Sequence, residues 1–299
     1  DDFYNTKEGQ QKLLTDINAR YRNVFNTGEL QYYGTDIYMA ISEEPAERMF
    51  NGYDKTFNST APVVGDYWKV LYKIVQESNI LLNRCTPAIA GNDYTSLTAQ
   101  ARFFRAMAYY YLVETFGPVP LLVEENTDVI QQAERTSEQA IYTFIITELN
   151  AIKDQLDMTT NSAGKVTNAA VIHFLGKMYL TRAYKSFAEA NDFSEAATTF
   201  DLLIENPSSG YALQENFAAL FDENNQANSE VIWAIQYGLD KNYRGGGNPQ
   251  QAQFGFNIVA LEPDMFTKSQ SDYSNASRKY WVNPKAHELY TNPEIDTRY

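Results

Sequence analysis

ARFFRAMAYYYLVETFGPVPL, Ala101–Leu121, decides how the rest of the chain is read. Up to Phe116 it carries no proline or glycine and is apolar on almost every face, so it reads as a helix buried all round. Alanines at 99, 101, 106 and 108 would let neighbouring helices approach closely. Gly117 and Pro118 stop the helix, and Val119–Val123 reads as a short extended piece. A helix this apolar needs partners on all sides, so the flanking sequence should supply amphipathic helices.

It does. Toward the N-terminus, Asp66–Cys85 carries a stripe of Trp68, Leu71, Tyr72, Val75 and Leu82, with Pro87 just beyond. Thr6–Asn26 carries Leu13, Leu14, Ile17, Tyr21, Val24 and Phe25 on one face. Toward the C-terminus, a capping box of Thr136 and Gln139 opens a helix with Ile141, Phe144, Ile145, Leu149, Ile152 and Leu156. Another helix spans about Thr167–Phe187. A sixth opens at Asp192, with Glu195 as its capping partner, and buries Ala196, Phe200, Leu203 and Ile204. Leu175-Gly176-x-x-Tyr179, then Ala196-x-x-x-Phe200, then Pro207 matches much of the tetratricopeptide pattern, at a spacing longer than the 34-residue repeat. The expected fold is mainly α: a tetratricopeptide-like stack of helical hairpins with long loop excursions and few short strands.

Two stretches interrupt the helices. Thr27–Asp66 holds six Gly and Pro breakers and reads as a long irregular excursion, yet its aromatics, from Tyr32 to Phe57, argue against disorder. After Ser208, VIWAIQY (Val231–Tyr237) is the one convincing strand, and from Leu239 the chain is loop-like and rich in aromatics. The expected organisation is a single domain over 1–299, with a helical scaffold over about 1–207 and a loop-rich ligand-face region over 208–299. A helical stack needs polar ends, so a C-terminal portion is expected beyond the end of this sequence.

Composition narrows the chemistry. The formal charge of -14 repels a nucleic-acid backbone and an anionic membrane surface. No run of 18 apolar residues exists to span a bilayer. The lone Cys85 allows no disulfide within the chain, and its plain reading is a small hydrophobe. There is no GxSxG elbow and no HExxH motif, and the Arg244–Pro249 loop, RGGGNP, lacks the Lys-Ser/Thr of a phosphate loop. His173 reads as a satisfied structural histidine. Trp68, Trp233 and the Tyr109–Tyr111 run read as core.

Taken in order, several segments resemble the SusD/RagB family: Trp68–Ile74 with Ser78–Leu82, Ala101–Leu121, Arg135–Ser137, Gly164–Leu180, Phe217–Tyr237 and His287–Tyr299. The resemblance covers nearly the whole chain, which is shorter than family members usually are. It implies a lipid-anchored protein on the outer face of the outer membrane, with the anchor absent from this chain. It also implies an oligosaccharide or polysaccharide ligand and a SusC-like, TonB-dependent transporter as partner, and no catalysis. A peptide-binding RagB-like uptake protein and a tetratricopeptide adaptor for protein segments are the alternatives, and a glycan-degrading enzyme is the third class to separate. No cofactor is expected, although calcium could find oxygen ligands in acidic loops.

Sugar capture needs flat aromatic faces for the C–H side of a ring and a few polar groups for its hydroxyls. The first excursion offers Tyr32, Tyr33 and Tyr53 with Asp36. The second offers Tyr243 and Trp281 with Arg244 and Asn248.

Overall fold

The computed structural model describes residues 2–26, 29–40, 45–128, 130, 132–160, 164–237 and 280–289. Its helices are α1 (Lys7–Asn26), α2 (Glu29–Tyr32), α3 (Pro45–Gly52), α4 (Pro62–Arg84), α5 (Pro87–Ala90), α6 (Tyr94–Phe116), α7 (Glu138–Ile152), α8 (Asn168–Arg182), α9 (Asp192–Ile204) and α10 (Phe217–Leu220), with a further turn of helix at Pro284–His287. Two short strands, β1 (Tyr38–Ala40) and β2 (Tyr280–Val282), and four 3-10 turns (Asp2–Asn5, Gly91–Asp93, Pro207–Ser209 and Glu223–Asn225) complete the described elements. The chain forms two compact units: residues 1–21 with 69–236, and residues 22–68 with 237–299. Residues 208–236 belong with the helices, and the first excursion belongs with the C-terminal segment.

In the helical unit, α6 is the buried element its composition demands: Phe103, Phe104, Met107, Tyr109, Leu112 and Val113 are all at most 4% exposed. Helices α6 and α7, α7 and α8, and α8 and α9 pack in succession. This is the mainly α, hairpin-stacking arrangement that the periodicity implies. Tyr21 of α1 donates its hydroxyl to the Phe104 carbonyl at 2.6 Å, tying α1 to α6. Arg20 of α1 donates to the buried Glu77 of α4 at 2.5 Å.

The Gly117–Pro118 stop has a specific purpose. Gly117 takes φ 68, which a side chain would resist, and its N–H closes the helix on the Val113 carbonyl. The chain then runs extended back over α4 and α6 as a strap. Tyr72 donates to the Pro120 carbonyl at 2.7 Å. The Tyr109 hydroxyl donates to the Leu122 carbonyl at 2.8 Å and accepts from the Leu122 N–H at 2.6 Å. Asn79 donates to the carbonyls of Leu122 and Glu124, and Arg84 pairs with Glu125. Beneath the strap, Arg105 donates to Asn79 at 2.8 Å, to the Val123 carbonyl at 3.1 Å and to Glu148 at 2.6 Å. A strand ladder is replaced here by side chains that satisfy the strap's backbone one group at a time.

Several elements differ from the sequence reading. The cap of α7 is Ser137, whose side chain accepts from Ala140 N, because Thr136 is held in an isolated bridge to Val119. At the start of α9, Asp192 is no cap: it is 1% exposed, and its carboxylate is taken by Arg182 and by Glu189 N. That ion pair sits in the turn where α8 stops, at Arg182 rather than Phe187. Residues 231–237 form no strand. Trp233 instead plugs against Tyr21, Phe103 and Phe104, and its indole N–H donates to the Gly164 carbonyl at 3.1 Å. In α4 the buried ring is Tyr67, 1% exposed, with Trp68 half-buried beside it. The helix also starts earlier, at Pro62, where a missing N–H costs nothing.

The described residues of the first excursion are folded rather than loop-like. Within Thr27–Asp66 lie α2, β1, α3 and the start of α4. Tyr33, Ala40, Met49, Phe50 and Ala61 form a small core, with Leu30, Tyr32, Tyr38, Val63 and Val64 packed against it. β1 pairs antiparallel with β2, placing Tyr38 opposite Val282, Met39 opposite Trp281 and Ala40 opposite Tyr280. The Asn51 amide accepts from Ala40 N at 2.9 Å and donates to Ala40 O at 2.6 Å. Thr35 accepts from Tyr38 N through its hydroxyl and donates its own N–H to Tyr38 O.

Candidate functional site

The exposed aromatic surface of the second unit is built around Tyr53. This side chain is 66% exposed and sits just past α3 at φ 46, a left-handed conformation uncommon for a bulky residue. Its hydroxyl donates to the Gly34 carbonyl at 2.9 Å. Gly34 is itself left-handed, at φ 68, and a Cβ there would lie 2.4 Å from the Phe50 carbonyl and 2.9 Å from the Tyr53 hydroxyl. A glycine at 34 and a strained tyrosine at 53 are thus two halves of one close contact. That contact holds the Tyr53 ring outward, edge-on to Phe57 at 6.1 Å, and Phe57 rests on the buried Phe50 at 5.0 Å.

Beyond the rings, the 54–60 loop is two side-chain-locked turns. Asp54 accepts from Thr56 N and hydroxyl at 2.8 and 2.5 Å, and Asn58 accepts from Thr60 N and hydroxyl at 2.9 and 2.6 Å. The Thr56 bonds hold the Asp54 carboxyl below the usual carboxylate range, so it stays a charged acceptor. The result is a fixed apolar ledge, Tyr53 and Phe57, bordered by an acid, an amide and two hydroxyls.

The other nominated residues divide. Tyr32 is half-buried against Tyr38, with ring centres 5.7 Å apart, and burial pushes its phenol up, so it stays neutral. Tyr33 is a correction: at 5% exposure its ring belongs to the core and has no face left for a ligand. Asp36 is exposed in the turn before β1. The backbone of Trp281 lies in β2 opposite Met39, which brings it into the same unit as Tyr53, while its ring is outside the described residues. Tyr243, Arg244 and Asn248 also lie outside the described residues. Phe57 and Asn58 are the additions. The D-x-T and N-x-T spacing at 54–60, which favours side-chain-capped turns, is the local signal that could have found them.

Other candidates resolve simply. Cys85 is 4% exposed, and burial pushes its thiol up, away from nucleophilic use. His173 lies on the surface of α8 against Phe200. Among the described residues, no three His, Cys, Asp or Glu side chains converge to hold a metal ion, and no helix is long and apolar enough to cross a membrane.

A family model for SusD-like proteins, described as starch-binding and associating with the outer membrane, matches residues 6–180, more than half of the chain. The chain belongs to the SusD-like family. Among SusD-like relatives, one from Bacteroides ovatus is 30% identical over 179 residues, which are 57% of this chain and 32% of that protein. The starch-binding protein SusD of Bacteroides thetaiotaomicron is 27% identical over 187 residues, 61% of this chain and 32% of the relative. The matched region thus spans about a third of the curated relatives' own length. A solved SusD-like protein that binds laminarin superposes with a TM-score of 0.78 at 23% identity, over 98% of this chain and 65% of that one. The SusD-like match takes in the α6 strap and the Tyr53 ledge, and it ends before β2.

Proposed function

We propose that this SusD-like chain captures glycans at the cell surface without turning them over, acting as a lipid-anchored outer-membrane protein that hands oligosaccharides to a SusC-like, TonB-dependent transporter. The Tyr53 ledge carries the reading. A bulky residue held in a left-handed conformation costs about 1–3 kcal/mol, a strain that concentrates at ligand-contacting positions. Here the strained side chain is also the exposed one, and it is fixed before any ligand arrives. An exposed ring with pre-set acceptors beside it suits the apolar face and hydroxyls of a sugar, and pre-organisation lowers the entropy cost of binding. The family's description and the starch-binding relative support a glycan as cargo. Tyr32, Asp36, Tyr243, Arg244, Asn248 and Trp281 are proposed to extend the same contact surface.

Calorimetric titration against soluble glycans and peptides, with product analysis in parallel, tests this. Glycan binding without product release is the expected result. Tyr53→Ala and Trp281→Ala should each weaken binding at least tenfold, about 1.4 kcal/mol, while leaving the unfolding midpoint unchanged. Binding of peptides alone would transfer the reading to a RagB-like uptake protein, and sugar release would make the chain an enzyme.

A further inference from the structure

The helical unit holds a pocket of its own, about 310 Å³, between the turn that leads into α8, the turn after α9 and residues 226–236. Its lining includes Thr159, Lys165, Gln226, Asn228, Ser229 and Trp233. The wall is rigid. Asn18 and the Trp233 indole both donate to the Gly164 carbonyl, at 2.8 and 3.1 Å. Asn228 is buried, accepting from Glu230 N at 3.0 Å and donating to Asn225 O at 2.9 Å. Gly164 stands at φ 81, where a Cβ would come within 2.8 Å of the Gln236 side chain, so the backbone has closed in as far as it can.

The chemistry of the lining is selective. The chain has 38 acidic residues, yet among the described residues no carboxylate lines this pocket, and Lys165 is the one charged side chain of that lining. A cation would find no counter-charge, and an anion would find a single lysine. An apolar ligand would desolvate the exposed Thr159 hydroxyl and Gln226 carboxamide at the rim. Hydroxyl and amide groups around the half-buried indole of Trp233 match a neutral molecule dense in hydroxyls.

We infer that this pocket binds a neutral saccharide or polyol as a second site, independent of the Tyr53 ledge. It rests on the glycan reading only in the choice of probes. The experiment is fluorine NMR of 5-fluorotryptophan-labelled protein, whose three tryptophans give three resonances assigned by single Trp→Phe variants. Maltotetraose and laminaritetraose are the titrants. The Trp233 resonance should shift saturably in the parent protein and in Tyr53→Ala. The shift should vanish in Thr159→Tyr, which fills the pocket from its exposed rim. A Trp233 resonance that never moves, a shift lost in Tyr53→Ala, or one retained in Thr159→Tyr each overturns the second site. Failure of the ledge is read separately, from the Tyr53→Ala calorimetry.

Discussion

Gly176 and Phe200 show how single positions set the packing. A Cβ on Gly176 would lie 2.6 Å from the Phe200 ring, so α8 and α9 meet as closely as they do because one helix has no side chain where the other has a large one. Gly176→Leu should therefore lower stability by about 1–3 kcal/mol, despite leucine's better helix propensity, and Phe200→Ala should recover part of the loss in a double-mutant urea-denaturation cycle. Glu148 is the second sensitive position. It is 6% exposed and accepts from both Arg102 and Arg105 at 2.9 and 2.6 Å. Glu148→Leu leaves Arg105 buried without its counter-charge and should cost about 3–5 kcal/mol, more than Arg102→Met, whose side chain is 32% exposed. Individual residues also mark where sequence reading stops. Tyr32, Tyr33 and Tyr53 are chemically identical, yet only the small core of the second unit decides that one is buried, one half-buried and one exposed. Composition carries no such information.

Among the elements, the strap after α6 offers the clearest handle on pH. Burial pushes the phenols of Tyr72 and Tyr109 above their ordinary value of 10.0. Below that value both folded and unfolded states keep the proton, and the stabilisation is fully present. As pH rises past it, the unfolded state ionises first, so stability is lost progressively toward the folded value. Urea midpoints should fall steeply above pH 10, and Tyr72→Phe with Tyr109→Phe should flatten that slope while lowering stability at neutral pH, because the groups of Leu122 lose their partner. The helices around this strap could be read from the sequence, because 3.6-residue periodicity and the Gly117–Pro118 stop are local signals. The strands could not. Val231, Trp233 and Ile235 alternate as a strand would, but Trp233 packs as a plug and finds no ladder. β1 has only three residues, and its partner lies at least 240 positions away, so no window contains both.

For the whole molecule, net charge is the dominant long-range effect. A formal charge of -14 on 299 residues makes the folded chain repel itself. Raising ionic strength from about 0.01 M to about 0.15 M shortens the screening length from roughly 30 Å to roughly 8 Å, so the melting temperature should rise in a calorimetric scan. A flat response would mean that the acidic side chains are already neutralised by local partners such as Arg84 on Glu125.

The pairing of Asn51 with Ala40 also determines what the small sheet can recognise. With Tyr38 occupied by Thr35 and Ala40 by a carboxamide that imitates a peptide unit, the outer margin of β1 presents no free register to an incoming chain. An extended peptide cannot be read there by strand addition, and two copies of the protein cannot zip together along it. Asn51→Ala would reopen that margin, turning a sealed border into a template for self-association.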